Sequence, residues 1–291
     1  MPPPLHHTTL GRIPFSAASA LQSHLVSLFL SSKAASPSHP PPPPTLLTAE
    51  FPPTYTLGRR ERTITTEQHS HLSTSGRAAV VPTLRGGQTT FHGPGQLTGY
   101  LILDLRAHSL SPRCYIRLLE DSVISTLSRY GIRGFTSADP GVWTSEKRKI
   151  CAVGVHMRRN ITSYGIGLNV GTDLWWFDRI VACGLEGKEA TSFVREGVEG
   201  VTVNEVAGVW AGVLAKGIGV QVREAQVEEV GRSEGRRVFE AAIVEAEKAG
   251  EGGQAAPESV RSSAGTCDAE HAIVAAEKAS GGGQAATGSV P

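Results

Sequence analysis

The stretch Arg85-Gly86-Gly87-Gln88-Thr89-Thr90-Phe91-His92-Gly93-Pro94-Gly95-Gln96-Leu97-Thr98-Gly99-Tyr100 constrains this chain more than any other. It packs five glycines, a proline, an arginine and a histidine into one short run. It leads directly into Leu101-Ile102-Leu103-Asp104-Leu105, an apolar segment of strand length. Glycines at this density let the backbone pass close to a ligand and take φ > 0 without a Cβ clash. A loop of this kind feeding a buried strand can hold a small group against main-chain N–H donors. Gly-Pro-Gly is equally the chemistry of a plain turn between strands. The arginine and histidine within the same few residues tip the reading towards a site.

The rest of the chain narrows the possibilities. At 291 residues it is long enough for one large domain or two ordinary ones. A formal net charge of +1 gives no bulk attraction for nucleic acid. No apolar run reaches the length of about 18 residues that a membrane-spanning helix needs. The four cysteines, Cys114, Cys151, Cys183 and Cys267, lack CxxC spacing, which argues against zinc. They are too scattered for a disulfide framework and point to a reducing compartment. No metal and no cofactor is implied.

The first acidic residue is Glu50, and the Ser-rich segment before it carries Arg12 and Lys33. Acid-poor, Ser-rich and mildly basic is the composition of a mitochondrial transit segment. The same segment from Ser16 to Ser32 also has the spacing of an amphipathic helix with Leu21, Leu25 and Leu28 on one side. Pro37 to Pro44 is Pro-rich and reads as a loop insertion. Thr45 to Phe51 reads as a strand, followed by an extended piece from Tyr55 to Arg60. Ser111-Pro112 opens a helix, with Ser as N-cap and Pro in the first turn. It runs to about Tyr130 on a stripe of Ile116, Leu119, Val123 and Leu127, and Gly131 stops it. Cys114 in its first turn reads as a small packed residue rather than a reactive thiol. Ile150 to Met157 and Ile161 to Val170 form a hairpin about Arg158-Arg159-Asn160. Asp173 to Phe177 is an aromatic segment that packs on the core. Thr202-Val203-Asn204-Glu205 is a capping box that opens a helix carrying Val206, Val209, Trp210 and Val213 and closing at Gly217. Residues 223–291 read as a low-complexity, mostly disordered tail with transient helix, in which Ile243–Ala256 recurs at Ile273–Ala286, a period of 30.

Three segments in register resemble one family, the octanoyltransferases of lipoate biosynthesis. The loop from Arg85 to Leu97 is similar to that family's signature nearly residue for residue. Lys149-Ile150-Cys151-Ala152-Val153-Gly154, with Gly165-Ile166-Gly167-Leu168-Asn169-Val170 behind it, is similar to its second block. Cys183-Gly184, with Thr191-Ser192, is similar to its third. The resemblance covers residues 5–222, which makes 1–222 the expected catalytic domain. Three positions depart from the pattern: Ala182 stands where the family has proline, and Cys151 and Gly167 where it has alanine.

The resemblance implies an α+β fold with mixed β-sheets and flanking helices, that of the biotin/lipoate protein ligase catalytic domain. It implies that Cys183 attacks the thioester of octanoyl-acyl carrier protein and forms an acyl-enzyme. A lysine of a lipoyl domain, in 2-oxoacid dehydrogenase complexes or in the glycine cleavage H protein, would then accept the octanoyl group. A thiolate both attacks and leaves well, so one hard transfer becomes two easier ones. Lys149 is implied as the second catalytic residue, giving and taking protons and therefore partly withdrawn from water. Substrate-binding positions implied are Arg85, Gly86, Gly87, Gln88, Thr89, Thr90, Phe91 and His92 of the loop, Ala152, Val153 and Gly154, and Gly165, Ile166 and Gly167. Main-chain N–H groups of the loop and of Ala152–Gly154 are candidates for the oxyanion site. At about 0.8 kcal/mol per buried CH₂, an eight-carbon chain gains roughly 5–6 kcal/mol from an apolar slot.

Both protein partners are expected to present acidic faces to a rim of Arg59, Arg60, Lys147, Arg148, Arg158 and Arg159. The expected compartment is the mitochondrion, or the cytoplasm in a bacterium. Three other readings compete. An ATP-dependent lipoate or biotin ligase on a related fold needs no cysteine. A non-catalytic protein that binds lipoyl domains would accommodate Ala182 and the tail. A cysteine hydrolase lacks a Cys–His pair at suitable spacing.

Overall fold

The strand that the glycine-rich stretch feeds, Gln96–Ile102, is buried at every residue. Its side chains alternate between two cores: Leu97 and Leu101 join one, Tyr100 and Ile102 the other. A strand buried on both faces belongs in the middle of a covered sheet, and that is where it lies. The computed structural model describes residues 2–34, 41–180 and 187–249, apart from the side chain of Arg232. Cys183 with Ala182 and Gly184, Pro37–Pro40 of the insertion and everything beyond residue 249 lie outside the described residues. The chain divides into two units, Met1–Ala256 and Pro257–Pro291, and every described residue belongs to the first.

The described strands, in chain order, are β1 (Leu5–Arg12), β2 (Thr45–Glu50), β3 (Thr54–Leu57), β4 (Ala79–Pro82), β5 (Thr90–His92), β6 (Gln96–Ile102), β7 (Val142–Trp143), β8 (Arg148–Arg158), β9 (Ile161–Asn169), β10 (Glu189–Ala190) and β11 (Val222–Glu224). The helices are α1 (Phe15–Ala34), α2 (Thr66–Ser73), α3 (Pro112–Ser128), α4 (Val203–Gly217) and α5 (Val227–Lys248), with a 3₁₀ turn at Leu174–Arg179. The large mixed sheet runs β10-β8-β9-β6-β2-β1-β11, with β7 added to β8. The small sheet runs β4-β3-β5. The architecture is α+β, with mixed sheets and flanking helices.

Helices α3 and α4 cover one face of the large sheet through Tyr115, Leu119, Val123, Leu127, Trp210 and Leu214. On the other face α1 presents Phe15, Leu21, Leu25 and Phe29. The expected hairpin is β8–β9. Its two-residue turn, Arg159 (φ 51) and Asn160 (φ 65), has the double positive φ that matches strand twist. The capping box at Thr202 and Glu205 is present in both directions. The buried stripes are rotated from those read in the sequence: Tyr115 replaces Ile116 on α3, and Ala211 and Leu214 outrank Val209 and Val213 on α4.

Residues 5–34 belong to the fold as β1, hydrogen-bonded between β2 and β11, and α1, in line with the reading of Ser16–Ser32 as a helix. The expectation of a mostly disordered tail from residue 223 is revised for residues 223–248. There β11 extends the large sheet, and α5 packs Val230 and Phe239 against the α1 core. The attachment is specific: His7 Nδ1 lies 2.6 Å from Glu224 Oε1, Thr8 Oγ1 donates to the Ala225 carbonyl at 2.8 Å, and His24 Nε2 donates to the Gly231 carbonyl at 2.9 Å. Gly231 and Gly235, which look like helix breakers, are where α5 approaches α1. A Cβ on Gly235 would lie 3.0 Å from His24 Cδ2.

Candidate active site

The glycine-rich stretch serves both of its possible uses, in different halves. Gly93-Pro94-Gly95 is a turn that passes the chain from the small sheet to the large one. Gly95 has φ +78, its N–H donates to Glu50 Oε2 at 2.7 Å, and its carbonyl accepts from Val170 and Gly171. The half before it, Arg85 to His92, forms the roof of a cleft whose empty space is about 580 Å³, its open mouth included.

The floor of the cleft is made by missing side chains. In the β8–β9 register, Ala152 pairs with Gly167 and Gly154 with Gly165, so small residues face each other across two strands. The roof is tied down on three sides. Gly86 N–H donates to the Val155 carbonyl at 3.0 Å, Arg59 N–H to the Arg85 carbonyl at 3.0 Å, and Arg60 N–H to the Gly87 carbonyl at 3.1 Å. Gly58 permits that approach, because a Cβ there would fall 2.2 Å from the Gly87 carbonyl oxygen. Glu61 Oε2 accepts from both the N–H (2.7 Å) and hydroxyl (2.6 Å) of Thr89.

Arg85 is buried and its guanidinium faces the small sheet. Nε donates to Thr56 Oγ1 at 3.1 Å, Nη2 to Thr56 Oγ1 at 2.9 Å and to the Thr56 carbonyl, and Nη1 to the Gly86 carbonyl at 3.0 Å. It stiffens the loop by bridging it to β3. His92 is also buried and its tautomer is set by a chain of amides. Asn169 Nδ2 donates to the Thr191 carbonyl, and Asn169 Oδ1 accepts from Gln96 Nε2 at 2.9 Å. Gln96 Nε2 also donates to the Phe91 carbonyl, so Gln96 Oε1 is the acceptor for His92 Nδ1 at 2.7 Å. The proton therefore sits on Nδ1. Burial, with the Arg85 cation adding to it, pushes His92 down to about 3, so the ring is neutral at ordinary pH.

Lys149 lies at one end of the cleft and is 8% exposed. Its Nζ donates to the Pro140 carbonyl at 2.8 Å and sits 4.8 Å from the centroid of the Trp143 ring. Its backbone carbonyl accepts from Thr191 N–H at 2.9 Å, and its Cα pairs with Ala190 of β10. The chain after the 3₁₀ turn thus runs beside Arg148 and Lys149 at Glu189–Ala190. Cys183 itself lies outside the described residues. Cys151, two residues from Lys149, is fully buried, and burial pushes its thiol well above the ordinary range. It is a packed thiol. Exposed Cys114 has its thiol lowered by the Ser111 hydroxyl and does not line the cleft.

Of the implied binding residues, Arg85, Gly86, Gly87, Gln88, Thr89, Thr90, His92, Ala152, Val153, Gly154, Gly165, Ile166 and Gly167 line the cleft together with Lys149. Phe91 does not. It points into the small-sheet core, stacked on Trp176 with ring centroids 5.1 Å apart, because it alternates with Thr90 and His92 along β5. The sequence reading missed Phe15, Thr56, Thr83, Tyr100 and Tyr164, which also line the cleft. It also missed the Pro140–Trp143 cage of Lys149. The available signal for that cage was Pro-Gly followed by a tryptophan just before Lys149. In the basic rim Arg59, Arg60, Lys147, Arg158 and Arg159 are exposed, while Arg148 pairs with Glu196 at 3.2 Å. Among the described residues, no three His, Cys, Asp or Glu side chains are arranged to hold a metal, and no helix is long and apolar enough to cross a membrane.

Comparison with known proteins places this arrangement. The model of the lipoyl protein ligase A/B catalytic domain matches residues 24–214. A protein of Schizosaccharomyces pombe named probable octanoyltransferase is 48% identical over 187 residues, 64% of this chain and 83% of that one. The mitochondrial octanoyl-[acyl-carrier-protein]:protein N-octanoyltransferase LIPT2 of Danio rerio is 42% identical over 187 residues, 64% of this chain and 80% of its own. Among solved structures, a lipoate-protein ligase A bound with ATP superposes with a TM-score of 0.62 over 82% of this chain and 95% of that one. At 16% identity it bears on the fold alone. The chain belongs to the lipoyl protein ligase A/B catalytic-domain family, within its octanoyltransferases.

Proposed function

We propose that this acyltransferase moves an octanoyl group from octanoyl-acyl carrier protein to a lysine of a lipoyl domain through a thioester on Cys183. The observation that carries the reading is the floor of Ala152, Gly154, Gly165 and Gly167, which leaves room for an acyl chain whose thioester end faces Lys149. The Cys183 thiolate attacks the carbonyl carbon of the donor thioester, and the carrier's thiolate leaves and takes up a proton. The acceptor amine then attacks the new thioester, gives up a proton, and the Cys183 thiolate leaves. Lys149 handles these protons from its place under Trp143 and Pro140. The main-chain N–H groups of the loop and of Ala152–Gly154 are the candidates to meet the oxyanion. Neutral His92, which holds its proton on Nδ1 for Gln96, is a wall of the site rather than its base.

Lipoyl domains of 2-oxoacid dehydrogenase complexes and the glycine cleavage H protein are the acceptors this reading names. Arg59, Arg60, Lys147, Arg158 and Arg159 offer a basic rim for acidic partners. With LIPT2 relatives mitochondrial, we assign the protein to the mitochondrion, where it keeps residues 5–34, since they form β1 and α1.

Intact-mass analysis after mixing with octanoyl-acyl carrier protein, without ATP, tests the proposal. The wild type gains one octanoyl group, Cys183→Ala gains none, and Lys149→Ala gains it far more slowly. An unmodified wild type, or a transfer that requires ATP, overturns it.

A further inference from the structure

Tyr164 has φ +58 in the middle of β9. Among the described residues, the other non-glycine positions with positive φ are Thr74, Ser75, Ser109, Arg159 and Asn160, all outside the strands. A bulky residue rarely adopts this conformation, and where it persists the surroundings enforce it. Here it changes the face of the sheet on which the side chain lies. Strand alternation would put Tyr164 on the side of Ile166 and Leu168, which belong to the α3–α4 core. Instead its ring joins the opposite core, beside α1, 5.7 Å edge-on to Tyr100. Two contacts hold it there. Its N–H donates to Gln22 Oε1 on α1, and its hydroxyl accepts from Leu84 N–H at 3.4 Å.

The ring displaced in this way stands between two cavities. Tyr164 and Phe15 line the acyl cleft described above. Both also line a second cavity, with about 710 Å³ of empty space including its mouth, whose other walls are Ser16, Ser19, Ala20, Ser23, Val81 and Pro82. Tyr164 also marks the end of the cleft away from the chemistry. It pairs with Val155, six residues along β8 from Lys149, a distance of about 20 Å at 3.3 Å per residue. A lysine side chain and an extended octanoyl group together fill most of that length.

We propose that Tyr164, backed by Phe15, is the chain-length stop of the acyl cleft, and that the second cavity is the space a longer acyl chain enters when the stop is removed. This rests on the acyl-transfer reading above. Octanoyl ends against the tyrosine ring. A dodecanoyl chain has to displace the ring, whose hydroxyl is held by Leu84 N–H and whose backbone is held by Gln22 of α1.

The test measures kcat/KM for acyl-carrier-protein donors of six to fourteen carbons. The wild type is compared with Tyr164→Gly and Tyr164→Asn, two residues that tolerate φ > 0. In the wild type, efficiency should fall beyond eight carbons. In the variants the optimum should move up by two to four carbons, with a gain of about fourfold per added methylene that finds cover. Adding Ala20→Phe to Tyr164→Gly fills the second cavity and should return the optimum to eight carbons, while Ala20→Phe alone leaves it there. A profile in Tyr164→Gly of the same shape as the wild type's overturns the inference, as does a wild type indifferent to length. Should a variant be inactive, binding of free octanoic, dodecanoic and tetradecanoic acids to it is compared with the wild type, under the same two outcomes. A wild type that transfers no octanoyl group is a failure of the acyl-transfer reading itself and is visible separately.

Discussion

A Cβ on Gly141 would lie 2.9 Å from Cε of Lys149 and 3.3 Å from its Nζ. The lysine occupies the space that a side chain at 141 would fill, and Gly141 itself is held by its N–H, which donates to Glu120 Oε1 at 2.9 Å. Its φ of +126 is open to glycine and to little else. Loop, lysine and the buried glutamate of α3 are therefore one assembly.

It follows that Gly141→Ala disables transfer without touching a reacting atom. The new methyl must displace the Lys149 side chain or the Cys151 carbonyl, which would be 2.5 Å away. A displacement of about 1 Å at the chemistry costs on the order of 10²-fold in rate, and the backbone strain costs about 1–3 kcal/mol of stability. Steady-state kcat/KM with the octanoyl donor, measured beside Tm, checks this. A variant with lowered Tm and unchanged kcat/KM would show that the position of Lys149 is not critical.

His92 makes the fold sensitive to acid. Its folded pKa of about 3 lies below the ordinary 6.5. Below pH 6.5 the unfolded chain takes up a proton that the folded chain refuses. The penalty is absent at neutral pH and grows as pH falls towards 3, reaching about 3 kcal/mol by pH 4. His92→Gln keeps a donor for Gln96 and loses the titration. The wild type should be the more stable at pH 7, and the gap should narrow by about 2 kcal/mol at pH 4.5. Urea unfolding at a series of pH values reads the difference. Parallel curves would mean that His92 is solvated.

The place of residues 223–249 in the fold is equally open to test by comparing two shortened chains. One ending at residue 249 keeps α5 and should melt the higher. One ending at residue 222 loses α5, uncovers Leu21 and Leu25 on α1 and breaks the His7–Glu224 contact. Within the full chain, Phe239→Ala should cost about 3 kcal/mol as a buried aromatic truncation. Equal melting of the two shortened chains would return 223–249 to the tail.

How far the sequence could be read depended on whether the signal was local. The capping box at Thr202 is four residues long, and the β8–β9 hairpin is an alternation about a short polar turn, so both are legible. Helix α5 was missed because its apolar face, Val227, Val230, Phe239, Ala242 and Ile243, is interrupted by Gly231 and Gly235. Their purpose, close contact with α1, appears only when a helix more than two hundred residues away is in place. Helix α2 went unread although Thr65 and Gln68 form a capping box, because it buries only Leu72 and shows no apolar stripe. Phe91 was assigned to the cleft with its neighbours, since a matched motif does not say which of its residues face inward and strand alternation does. Lys149 and Cys183 came from the resemblance. Nothing in the spacing of Gly141 and Lys149 reveals the fit between them, which needs β7 folded against β8.

Arg85 provides the last prediction. It lines the cleft, yet its guanidinium donates four hydrogen bonds to Thr56 and Gly86, so its contribution is to hold the roof at a fixed height above Gly154. Lysine keeps the charge but cannot reproduce a planar fork of donors. Arg85→Lys should therefore loosen the roof, raise KM for the octanoyl donor by about tenfold and lower stability by roughly 1.5–3 kcal/mol, the range for hydrogen bonds made by a charged group. Thr56→Val removes the hydroxyl acceptor and keeps the carbonyl, so it should move both quantities in the same direction by about half as much in free energy. Combining the two changes should cost less than their sum, because they break shared bonds. Donor titrations on the four proteins decide the matter. Strict additivity, or a KM unmoved by Arg85→Lys, would show that Arg85 acts on substrate as a charge and not through β3.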